Sequence, residues 1–132
     1  MKDLQDRLPA WGRDFAKQAV ARITLAVHRE AIKGIQKVSQ GRKQTRYGPG
    51  SGRKRVVTVS KPGDPFNIDT GETHTNIRPI VDLARLEGRI EGPLVSFWLE
   101  RGTKTMAARP WLRPAVRIVS TQLGDLVKFR TP

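Results

Sequence analysis

An apolar residue returns at every third or fourth position along the first quarter of the chain: Leu4, Leu8, Trp11, Phe15, Ala19, Ile23, Val27, Ala31 and Ile35. That spacing places them along one stripe of an α-helix. Pro9 is tolerated only in a first turn, so regular helix is expected to begin at Leu8 or Pro9. Gly41 is a natural stop. Some thirty helical residues would extend about 45 Å. That is long for a chain of 132 residues, which fits one domain spanning 1–132. Part of such a helix is expected to pack on a neighbouring subunit.

The rest of the chain alternates between strand and turn signals. Residues 41–55, GRKQTRYGPGSGRKR, hold four glycines and six basic residues without apolar periodicity; they are expected to form a mobile loop or the tip of a long hairpin. Val56 to Ser60 is β-branched and suits a strand. Asp69 or Thr70 can cap a short helix, with Glu72 in its first turn. Ile80 to Leu86 and Gly88 to Glu91 suit strands broken or turned at Gly88. Leu94 to Glu100 fits one helical face or a short buried strand, and is assigned as strand. Leu112, Ala115, Val116, Val119, Leu123, Leu126 and Val127 trace a C-terminal amphipathic helix, with Pro110 and Pro114 before and within its first turn. The expected class is α+β: a long N-terminal helix, a small, mostly antiparallel sheet, and a C-terminal amphipathic helix packed on one face.

Apolar residues make up 37% and aromatics 6% of the chain, low for a compact globule. Arms or loops that become ordered against a partner would have this composition. With no cysteine, disulfides and thiolate metal sites are excluded. No apolar run approaches the ~20 residues of a membrane-spanning helix, and the N-terminus shows no secretory stretch. No membrane partner is expected, and the cytoplasm is the default compartment of synthesis and function.

Basic residues outnumber acidic ones by 25 to 12, a formal charge of +13. The charge is arranged in blocks. Residues 41–61 carry seven basic groups and no acid; residues 62–100 carry seven acids against three bases; residues 101–124 carry five bases and no acid. Blocks of opposite sign suit complementary faces of adjoining subunits, and basic blocks also suit nucleic acid. Arg42, Lys43, Arg46, Arg53, Lys54 and Arg55 are the candidate contacts, either to phosphates with Tyr47 available to stack, or to an acidic groove on an adjacent protein.

Nothing in the sequence asks for catalysis or a cofactor. His28 and His74 stand alone, without metal-ligand spacing. Asp64, Asp69 and Glu72 suit capping and solvated surface better than general acid–base work. The glycines of 48–52 are not followed by the Lys-Ser/Thr of a phosphate-cradling loop.

The most distinctive signal is an ordered series in the C-terminal half. Asp69-Thr70-Gly71 is followed by Glu100-Arg101-Gly102-Thr103 and then by Ala108-Arg109-Pro110-Trp111-Leu112-Arg113-Pro114-Ala115. This series resembles the small neck and tail-completion proteins of long-tailed bacteriophages, often described as head-to-tail joining or minor tail components. The resemblance covers about residues 65–120. Departures are Glu72 where an apolar residue is more usual, the aromatics placed at Phe97-Trp98, and a longer basic loop. The resemblance implies a structural virion protein, not an enzyme, forming a homo-oligomeric ring around the DNA channel, a hexamer where the tail is sixfold. It would be assembled in the bacterial cytoplasm and partnered by head-closure, tail-terminator or tail-tube proteins, with genomic DNA as a further contact. Glu100, Arg109, Trp111 and Arg113 are then candidates for the subunit interface, including an Arg–Glu100 pair across subunits. Asp69, Thr70, Gly71, Gly102, Thr103, Pro110 and Pro114 are the structural signature. The alternative class is a sequence-independent nucleic-acid-binding protein that grips phosphate with its basic loop.

Overall fold

In a computed structural model, residues 8–47, 54–69 and 72–126 are described. Leu4, Arg53, Thr70, Gly71, Val127 and the glycine-rich stretch 48–52 lie outside the described residues. Helix α1 (Ala10–Gln36) is followed by strands β1 (Lys43–Tyr47) and β2 (Lys54–Thr58), the short helix α2 (Glu72–Thr75), and strands β3 (Arg78–Asp82) and β4 (Glu87–Glu91). Helices α3 (Leu94–Arg101), α4 (Arg113–Thr121) and α5 (Leu123–Leu126) complete the order. The α+β class holds. The strands form two separate antiparallel hairpins, β1–β2 and β3–β4, in place of one sheet.

The 27 residues of α1 extend about 40 Å. Pro9 takes the N-cap position, where its missing N–H costs nothing, and the Arg13 amide donates to its carbonyl at 2.9 Å. The helix stops at Gln36, short of Gly41, because a polar brace draws the chain into extended form. The Ser39 amide donates to Asn67 Oδ1 and Asn67 Nδ2 donates back to the Ser39 carbonyl, both at 2.8 Å. Ser39 Oγ meets Asp64 at 2.8 Å. Gly41 has another duty: a Cβ there would lie 2.1 Å from the Val59 carbonyl oxygen, so only glycine permits β2's exit to pass so close.

The core sits on the C-terminal half of α1. Ala31, Ile35, Phe66, Ile77, Trp111 and Ala115 form it, with Val27, Ile90, Leu99 and Leu112 packed around them. Helix α4 lies along α1, burying Ala115 and Val119. The β3–β4 hairpin packs on another side of α1, and His28 Nε2 donates to the Ile77 carbonyl at 3.0 Å. Toward its N-terminus the apolar stripe loses this cover, and Trp11 is 71% exposed.

Of the two forms expected for 41–55, the hairpin is found, with residues 43–47 and 54–55 in its strands: Thr45, Tyr47, Val56 and Val57 supply β-propensity on either side of the glycines, and the register pairs Thr45 with Val56 and Arg46 with Arg55. Two expectations are corrected. The β3–β4 turn falls at 83–86, not at Gly88, because Asp82 Oδ1 accepts the Arg85 amide (3.1 Å) and Leu86 takes φ +53. Residues 94–101 are helix, not strand. Pro93 sits at the N-cap, and Gly102 closes the helix with φ +77 and its amide on the Trp98 carbonyl. A further difference is that the C-terminal helix is interrupted at Gln122. There the Ser120 and Thr121 hydroxyls turn back onto the Arg117 and Ile118 carbonyls and compete with the helical ladder.

Gly88 lies within β4, where it brings the strand onto α1; a Cβ would fall 1.7 Å from Thr24 Oγ1. Gly88→Ala is expected to destabilise the fold by about 1–3 kcal/mol through overpacking. Adding Thr24→Ala should recover much of that loss in a urea-denaturation double-mutant cycle; strictly additive effects would rule out this contact as the cause.

Candidate assembly surfaces

The two strongest sequence elements, separated along the chain, form one interlocked unit. The Glu100 carboxylate, 12% exposed, accepts the backbone amides of Trp111 (2.7 Å), Leu112 (2.8 Å) and Arg113 (3.1 Å). Helix α4 has no side-chain cap of its own, and Glu100 supplies the acceptor its N-terminus needs. Trp111 Nε1 donates to the Ser96 carbonyl at 2.8 Å, and the Arg109 amide to the Leu99 carbonyl at 2.7 Å. Gly102 is required where the chain folds back, since a Cβ would lie 2.8 Å from the Ala108 nitrogen. The Thr103 amide donates to the Met106 carbonyl (2.8 Å) and Thr103 Oγ1 accepts the Met106 amide (3.1 Å). Pro110 precedes the buried Trp111, and Pro114 stands in the first turn of α4.

This geometry sorts the interface candidates. Trp111 is core. Glu100 is committed within its own chain, with Arg113 Nε at 3.7 Å from it. Arg109 is 8% exposed and donates to the Ser60 and Ala107 carbonyls, both at 3.2 Å. Of the four, only Arg113 presents its side chain outward, 72% exposed.

An outward surface that the sequence assignment missed lies on α3. The helix turns Ser96 inward, with Leu99 against the core, and leaves Leu94, Val95, Phe97 and Trp98 exposed. The Arg101 guanidinium stacks over the Phe97 ring, 4.8 Å from its centroid. Pro93 and Gly102 were the available signal for a helix here. Read as a short buried strand, the run offered no outward face.

The six basic candidates also divide. Arg46 and Arg55 both pair with the Asp69 carboxylate, Arg55 Nη2 at 3.1 Å. Asp69 therefore acts as a clasp between the hairpin and the segment before α2. Arg42, Lys43 and Lys54 remain exposed, as does Tyr47, and Arg53 lies outside the described residues. By strand alternation Lys43, Tyr47 and Lys54 share the face opposite the clasp.

Among the described residues no group of three His, Asp or Glu side chains is placed to hold a metal, and no helix is long and apolar enough to cross a membrane. No protein-family model, curated protein or solved structure matches the chain.

Two substitutions test these assignments. Glu100→Ala strands three amides and is expected to lower unfolding free energy by about 2–3 kcal/mol, measured by urea denaturation. A change within error would remove its capping role. Asp69→Asn should speed hydrogen exchange at the β1–β2 amides while the core of α1 stays protected; unchanged hairpin exchange would mean the clasp does not hold it.

Proposed function

We propose that this chain is a structural subunit of the neck or tail end of a long-tailed bacteriophage, joining others of its kind in a ring around the DNA channel. The observation that carries the reading is the apolar outer face of α3, with Leu94 64% and Phe97 52% exposed, on the helix that also carries Glu100. The sequence series that resembles neck and tail-completion proteins therefore ends on a rigid unit presenting an uncovered apolar surface. Such a surface suits burial against another subunit. The exposed N-terminal stretch of α1 around Trp11 is a second surface of this kind.

The mechanism is that of an adaptor. Apolar helix faces join neighbours, and the exposed β1–β2 hairpin reaches the adjoining ring, whether head-closure, tail-terminator or tail-tube. In a sixfold tail the ring is a hexamer, and the protein's place is the virion. The role requires no catalysis or cofactor.

The alternative, sequence-independent nucleic-acid binding, draws support from the exposed hairpin face bearing Lys43, Tyr47 and Lys54. It is weakened by Asp69, which occupies two of the arginines that would otherwise meet phosphate.

Electron microscopy of lysates from a phage lacking this gene is expected to show full heads and free tails that do not join, or tails of abnormal length. Normal infectious particles would overturn the neck reading. Phe97→Glu combined with Trp98→Glu should preserve the circular dichroism of the subunit yet prevent ring formation in native mass spectrometry. Rings that form as before would exclude α3 as the joining surface.

A further inference from the structure

A groove of about 1410 Å³ lies between the β1–β2 hairpin, the C-terminal end of α1, α3 and the 105–109 loop. Its walls combine two properties. Val38, Val56, Ile68 and Val95 line it, and all are exposed to 40% or more. Arg42, Arg46, Arg55, Lys61 and Arg109 line it too, with Asp69 the one carboxylate among the described lining residues.

Arg109 and Ser60, adjacent in this wall, have unmet requirements. The Arg109 guanidinium is nine-tenths buried yet bonds only to backbone carbonyls; no described carboxylate pairs with it. A buried cation without a counter-charge is costly. Ser60, whose carbonyl Arg109 holds, is 2% exposed, and its hydroxyl has no hydrogen-bond partner. A guanidinium with spare N–H groups beside an orphaned hydroxyl is a donor set for an incoming carboxylate.

We propose that this groove binds an extended acidic segment of a partner protein, seating a carboxylate on Arg109 and Ser60 and aliphatic side chains against Val38, Ile68 and Val95. Charge complementarity selects the occupant: five cations against the one carboxylate of Asp69 leave the lining a net charge of +4, with Arg42, Lys61 and Arg109 unpaired by it. The aliphatic walls favour peptide over nucleic acid, because single strands bind through exposed aromatic platforms, and the groove's described aromatic, Phe66, is buried in the core. This inference stands on the groove alone and does not require the phage assignment.

The test is fluorescence anisotropy on the full chain with a short labelled peptide alternating Val and Glu, the same peptide with Gln for every Glu, and an oligothymidylate of equal length. The Glu peptide is expected to bind at least about tenfold more tightly than either. The exposed pair Arg42→Glu with Lys61→Glu should abolish that preference without altering circular dichroism. Ser60→Ala should weaken peptide binding severalfold while leaving thermal stability equal or higher, since it removes an unsatisfied buried hydroxyl; a merely structural serine would not separate the two readouts. Equal binding of the two peptides, no peptide binding, or preference for the oligothymidylate would each overturn the proposal. So would a groove covered by a second copy, seen as self-association of the unliganded chain that the charge reversals abolish.

Discussion

The Glu100 carboxylate fixes where the last third of the chain lies. A helix N-terminus leaves amides without partners, and the residues before α4 offer nothing to accept them: Leu112 stands at the N-cap and Pro114 contributes only a missing donor. The acceptor instead comes from the end of α3. A charged acceptor at the positive end of a helix gains from both hydrogen bonding and the helix dipole. Trp111, held between Glu100 and the Ser96 carbonyl, is thereby placed in the core, and α4 is set with Ala115 and Val119 inward. Of the six core-cluster residues, Ala31 and Ile35 come from α1, Trp111 and Ala115 depend on this junction, and Phe66 and Ile77 come from the segments between.

The same junction explains why α3 presents its apolar side to solvent. A surface helix normally buries its apolar stripe. Here the inward positions are occupied by the groups that hold α4, so Ser96 and Glu100 face the protein along with Leu99. Leu94, Phe97 and Trp98 are left on the outside. The orientation is set by hydrogen bonding to one short segment, against the local hydrophobic preference. In the reading proposed above, assembly supplies the cover that the subunit lacks.

These relations also mark how far the sequence could be followed. The long helix was legible because nearly every position of its stripe repeats at helical spacing, and its start was legible from Pro9. Its end was not: Ser39 and Asn67 stop it through contacts between residues 28 apart, which no local pattern reveals. The strand assignment of 94–100 failed because apolar residues on both sides of a short run look alike in either conformation, and because the inward side is polar. Within the candidate surfaces, Gly102 was recognisable as architecture, whereas Trp111 was assigned to an interface and the division of the basic residues was invisible. Arg46 and Arg55 become neighbours only through strand register, and Asp69 reaches them from a segment with no sequence mark of the contact.

Net charge is therefore a poor measure of the cations this chain offers a partner. Arg13 Nη1 donates to the Leu8 carbonyl and Arg22 to that of Leu126. Arg109 is buried on carbonyls, Arg101 lies over Phe97, and Arg46 and Arg55 share Asp69. Each adds to the field around the protein, but each is already engaged by a group of its own chain. A long-range field steers an acidic partner, while tight contact needs free donors at the surface. Lys43 and Lys54 are exposed on one face of the hairpin, and Arg42 and Lys61 stand exposed along the rim of the groove beside aliphatic walls. In the reading proposed above, that combination, more than the total of +13, is what favours a protein partner over a phosphate backbone.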